Sequence, residues 1–87
     1  MLTQQEKQKI IEEFKKKEND TGSVEIQIGL LTKKIEKLSE HLKIHKKDKS
    51  SKRGLLRMIG RRRKLLNYLK KTDKESYEKI LKKIGKK

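Results

Sequence analysis

Val24, Ile28, Leu31, Ile35, Leu38 and Leu42 recur at steps of four, three, four, three and four residues. At about 3.6 residues per turn this spacing holds one narrow apolar stripe on a helix for about five turns. Leu55, Met58, Ile59, Leu65, Leu66 and Leu69 fall within roughly a 120° arc of another helix. Tyr77, Ile80, Leu81 and Ile84 make a short stripe near the end of the chain, and Ile10, Ile11 and Phe14 a weaker one near its start. The pattern predicts an all-α chain of four helices and no strand.

Boundary residues agree with the stripes. Thr3 with Glu6, and Thr72 with Glu75, have capping-box spacing, in which a hydroxyl and a carboxylate satisfy helix-start amides reciprocally. The segment NDTGS breaks the chain at residues 19–23 and offers Asp20 or Ser23 as a cap; DKSS at 48–51 does the same before the third helix. Gly85 after Ile84 suits a helix C-terminus. Gly29 and Gly60 fall on polar arcs, where each weakens its helix by about 1 kcal/mol. No Pro interrupts the helices and no repeat is evident, so residues 1–87 read as a single domain.

The two long central helices, joined by a short connection, are expected to form an antiparallel hairpin about residue 48, with short helices at both ends. That register puts Tyr68 beside residue 28, next to Gln27 and near Thr21 and Gly22. His41, His45, Asp48 and Ser51 gather at the opposite end. Gln27, Lys34 and His41 repeat every seven residues along one flank of the second helix, which separates the first from the last by about 21 Å. The hairpin thus offers two polar contact points on one rod.

Charge decides what such a rod would touch. The chain holds 27 basic and 12 acidic residues, a net +15, and residues 46–71 alone contain twelve Lys or Arg against one acid. Residues 1–24 are balanced. So dense a positive segment destabilises the folded chain through self-repulsion unless a polyanion meets it. Lys34, Lys46, Lys47, Lys52, Arg53, Arg57, Arg61 and Lys64 are the cations expected to hold a nucleic-acid backbone. Cys is absent, which excludes disulfides and thiolate metal sites. The start, MLTQQEKQKIIEEF, mixes acids and bases, and neither a signal peptide, a transit segment nor an apolar run of spanning length is seen. The expected place of work is the reducing interior where the chain is made.

Individual residues carry competing readings. Tyr68 lies about 100° from the centre of its helix's apolar arc, among Arg57, Arg61 and Lys64. It is read either as a ring covering the bundle edge or as a stacking or hydroxyl contact for RNA. Arg62 falls inside the apolar arc and is expected to snorkel outward. Asp48 is the one acid among the cations of HKKDKSSKRG. It is read either as a helix cap or as an acceptor for a base amino group, with Ser51 and His41 adding adaptable hydrogen bonds. His41, His45 and Asp48 have loose metal-ligand spacing, but the surrounding cations disfavour a metal ion. No metal and no cofactor are expected. The Thr21-Gly22 pair is a weak phosphate nest, and the KIGKK end reads as a solvated tail.

Across nearly its whole length the sequence resembles the bacterial-type small-subunit ribosomal protein S15 family, through NDTGSVEIQIGLLTKKI, HLKIHKKDKSSKRGLLRMIGRRRKLLNYLKK and YEKILKKIG. The resemblance implies a four-helix protein that binds the central domain of small-subunit ribosomal RNA early in assembly. It implies a three-way-junction site at Thr21, Gly22, Gln27, Tyr68 and Lys71, and a G-U/G-C minor-groove site at His41, Asp48 and Ser51. Further implied are neighbouring small-subunit proteins as partners, contact with large-subunit ribosomal RNA, repression of its own messenger RNA, and a free state that is monomeric. The expected location is a cytoplasmic ribosome, with an organelle-encoded counterpart as the alternative. The chain departs from the family pattern at Lys49 and Ser50, where a His pair is common, at Val24 in place of Pro or Thr, and at Lys71 in place of a frequent Arg, whose planar fork is lost.

Three other classes compete. A DNA-packaging protein would share the charge but lacks any dimer-like repeat in the long helices. A membrane-active amphipathic chain would need a broader apolar face with interfacial aromatics. An enzyme would need a nucleophile-base pair, metal box or dinucleotide loop, none of which two His and no Cys can build.

Overall fold

The computed structural model describes residues 2–14 and 23–85, which hold four α-helices and no strand: α1 (Gln4–Phe14), α2 (Val24–Ile44), α3 (Lys49–Thr72) and α4 (Lys74–Lys83). Asp20, Thr21, Gly22 and the final Lys pair lie outside the described residues, as does the side chain of Phe14.

Capping chemistry sets most of the boundaries. The Thr3–Glu6 box forms: the Thr3 N–H donates to Glu6 Oε1 at 3.0 Å and the Glu6 N–H to Thr3 Oγ1 at 3.1 Å. Ser23 caps α2 by accepting from the Ile26 N–H at 3.2 Å. Gly85 follows α4 at φ 74°, the left-handed conformation that glycine adopts without strain. The expected Thr72–Glu75 box does not form. Helix α3 runs through Thr72, whose hydroxyl donates to the Tyr68 carbonyl at 2.9 Å, and Asp73 caps α4 instead. The Asp73 carboxylate takes both the Ser76 N–H at 3.2 Å and the Ser76 hydroxyl at 2.9 Å, two acceptor roles that one hydroxyl group does not match.

Helices α2 and α3 form the antiparallel hairpin, with α1 packed on α2 and α4 on α3. Thr32 faces Arg62, and an added Cβ on Gly54 would lie 3.8 Å from Leu38, so the hairpin folds through the connection that follows Ile44. The core lies at the end away from that connection, where Ile10, Ile26, Ile28, Leu69 and Ile80 of all four helices bury one another. Leu31, Ile35 and Leu38 continue it along α2, as their stripe predicts, while Val24 and Leu42 are half-buried. Ile26 is fully buried although it falls off that stripe, because α1 and α4 close over a second side of α2. For the same reason Gly29 is buried rather than on an open polar arc, in a recess shared with Ile10, Lys83 and Ile84.

Arg62 also departs from expectation. Its guanidinium does not snorkel into water but is buried against α2, donating to Thr32 Oγ1 at 3.1 Å. Thr32 can accept because its own proton goes to the Ile28 carbonyl at 2.8 Å. Burial pushes the Arg62 pKa down, opposed by the nearby Glu36 charge. Polar ties help hold the short helices. Glu6 pairs through Oε2 with Lys37 at 2.7 Å, and Lys83 Nζ donates to the Glu13 carbonyl at 2.7 Å, joining α4 to α1. The hydrogen bond from Lys37, followed by that from the Thr3 N–H, lowers the Glu6 pKa to about 2. The resulting molecule measures 40 × 28 × 20 Å, long enough to carry well-separated contact points.

Candidate nucleic-acid interface

Along α3, Arg57, Arg61, Lys64, Tyr68 and Lys71 step by four, three, four and three residues, and all five are exposed. Their spacing makes one cationic stripe with an aromatic ring within it. Tyr68 is 56% exposed, which removes its ring from the core. On the facing helix, Gln27 and Lys34 join Arg57 and Arg61 around a groove of about 490 Å³, floored by Leu30, Leu31 and Met58. Tyr68 and Lys71 lie beyond this groove, toward the C-terminus of α3. Ile28 and Leu69 share the core cluster, so the chain neighbours Gln27 and Tyr68 belong to the same end of the hairpin.

The other end is organised by Asp48. It is the N-cap of α3, with Oδ1 accepting from the Ser51 N–H at 3.0 Å. Oδ2 accepts from the Ser51 hydroxyl at 2.6 Å and meets His41 Nε2 at 2.9 Å. The Ser51 hydroxyl, then His41, then the Ser51 N–H hold the Asp48 carboxyl well below the usual carboxylate range. An ionised carboxylate only accepts, so in this contact the His41 Nε2–H donates to Asp48. The Ser51 oxygen, its proton committed to Asp48, keeps its lone pairs. Asp48 is therefore a cap and also the hub that holds the side chains of His41 and Ser51 in place.

Cations frame that hub. His41, Ile44, His45, Lys46, Lys47 and Asp48 line a shallow depression of about 520 Å³, with Lys52 and Arg53 exposed on the first turns of α3. The His45 ring packs against His41 with centroids 4.5 Å apart, a positioning contact that their four-residue spacing on one helix signals. The apolar floor supplied by Leu30 has no such signal, since Leu30 falls outside the α2 stripe. Among the described residues no group of three or more His, Cys, Asp or Glu is arranged to hold a metal ion, and no helix is long and apolar enough to cross a membrane.

Fold and surface together define a small, strongly basic helical protein whose polar chemistry is that of docking. The family described as Ribosomal protein S15 matches residues 7–87. The chain is 58% identical over 84 residues to the small ribosomal subunit protein uS15 of Dictyoglomus thermophilum, an alignment spanning 97% of this chain and 94% of that one. It is 56% identical over 84 residues to the uS15 protein of Carboxydothermus hydrogenoformans, with the same coverage. The chain belongs to the ribosomal protein S15 family. It is a structural component of the small ribosomal subunit and not an enzyme.

Proposed function

We propose that the chain acts as a single-domain, monomeric clamp that binds the central domain of small-subunit ribosomal RNA at two points and organises it early in assembly. At one end Thr21, Gly22, Gln27, Tyr68 and Lys71 grip a three-way junction, with Tyr68 supplying a ring face and hydroxyl and Lys71 a phosphate contact. At the other, His41 and Ser51, held by Asp48, accept from base amino groups of a G-U/G-C element in the shallow RNA minor groove. Lys34, Lys46, Lys47, Lys52, Arg53, Arg57, Arg61 and Lys64 bind phosphates between and around these points, which positions the rod without reading sequence.

The observation that carries this reading is the separation of two unlike polar sites along one rigid α2–α3 hairpin: an exposed Tyr68 within a cationic stripe, and the Asp48-centred cluster at the turn. A rod of fixed length binds only RNA conformers in which junction and minor-groove element have matching spacing, and so shifts the population toward them. A messenger presenting the same two elements would compete for this face, which is how the chain would repress its own synthesis. Contact with large-subunit RNA belongs to the same proposal and uses surface outside this face.

Chemical footprinting on total ribosomal RNA at moderate salt tests the reading. Protection of a three-way junction and of one separate minor-groove element supports it. Protection spread evenly over duplexes, and equally abolished by competing duplex DNA, would return the chain to a non-specific packaging role.

A further inference from the structure

Arg62 and Leu69 are the buried residues of α3, and Arg62 is only 9% exposed. A guanidinium carries five N–H donors, yet among the described residues the single hydrogen bond of Arg62 is the one to Thr32. The guanidinium lines a groove of about 510 Å³ together with Thr32, Glu36, Ser39, Glu40 and Lys43, with Ile35 and Ile84 as apolar walls. On the α2 wheel Thr32, Glu36, Ser39 and Lys43 lie about half a turn from Gln27, Lys34 and His41. The groove therefore stands on the side of the hairpin turned away from the face assigned above to RNA.

We infer that this groove docks a polypeptide segment of a neighbouring small-subunit protein, which delivers a carboxylate to the Arg62 fork and a Lys or Arg to Glu36 and Glu40. Charge arrangement selects protein over RNA. Glu36 and Glu40 are exposed at the rim, and Lys33 pairs with Glu36 at 3.7 Å. A nucleic-acid strand brings a negative charge at every step and meets repulsion there, whereas a polypeptide can alternate signs over the distance between the rim and Arg62. The planar fork of arginine matches a carboxylate with two parallel hydrogen bonds, and Ser39 offers a hydroxyl to its backbone. The inference rests on the chain working within an assembled small subunit.

The chain has no Cys, so Ser39→Cys creates a unique thiol at the groove. This variant, carrying a thiol-linked benzophenone, is assembled with small-subunit ribosomal RNA and the remaining small-subunit proteins, and sedimentation reads its incorporation. Illumination followed by mass spectrometry should find a cross-link to one protein segment containing Asp or Glu beside Lys or Arg. Adding Glu36→Lys and Glu40→Lys, both at exposed positions, should cut that yield by about tenfold with incorporation unchanged, because like charges then face each other. Arg62→Lys, which keeps the charge but loses the fork, should also reduce it. Cross-links to RNA nucleotides, or none in fully incorporated particles, overturn the inference and leave the RNA face untouched. Failure of the unlabelled wild-type chain to incorporate would instead overturn the assembly role on which it rests.

Discussion

The Thr32–Arg62 pair shows how far one hydroxyl can decide the fate of a buried charge. Thr32→Val keeps the shape but removes the acceptor, so the buried guanidinium loses its hydrogen-bond partner. The expected loss is about 1–3 kcal/mol in urea unfolding, and adding Arg62→Met should recover part of it, since the unpaired charge is then gone. A loss that persists unchanged in the double variant would mean the pair is not the cause. Sequence reading placed Arg62 on the apolar arc, but an arc does not say whether the helix opposite offers an acceptor, so the direction of the side chain was not legible. At Asp48 the cap is formed, and a part in reading base pairs is what a substitution can test. Asp48→Asn keeps an oxygen for the Ser51 N–H but offers an N–H₂ where the Ser51 hydroxyl and His41 need an acceptor. Helix content should stay near wild type while discrimination between correct and altered minor-groove base pairs falls by about tenfold. Unchanged discrimination would confine Asp48 to capping.

At the scale of helices, the stripes, the Thr3–Glu6 and Ser23 caps and the turn before Asp48 were legible because each depends on residues within one or two turns of each other. The burial of Ile26 and Gly29 was not, since it depends on where α1 and α4 come to rest. The shift of the last cap from Thr72 to Asp73 reflects competition between adjacent capping groups, which spacing alone leaves open. The attachment of α1 has a pH signature. Folding lowers the Glu6 pKa from 4.5 to about 2, so the stabilisation from its contact with Lys37 is fully present above about pH 4.5 and is lost as pH falls through about 2. Asp48, whose pKa is also lowered, acts in the same direction at the hairpin turn. Acid titration followed by amide NMR should show α1 signals shifting across this window, and Glu6→Gln should remove that step while leaving the response at the turn. An identical acid response in Glu6→Gln would place the linkage elsewhere.

For the whole molecule, a net charge of +15 concentrated in residues 46–71 makes RNA binding steeply salt-dependent. The logarithm of affinity should fall with the logarithm of salt by between about 0.7 and 0.9 for each phosphate engaged, and Arg61→Ala should lower that slope by about one while weakening correct and altered sites alike. Charge alone, however, does not distinguish a two-ended clamp from a basic rod that sticks anywhere. The direct test compares Tyr68→Ala with His41→Ala by footprinting both RNA elements and by measuring the distance between two dye-labelled junction arms. Tyr68→Ala should lose protection at the junction and keep part of it at the minor-groove element, His41→Ala should do the reverse, and both should fail to hold the arms in their compact arrangement. Identical footprint losses from the two variants, with helix content intact by circular dichroism, would contradict the two-point clamp.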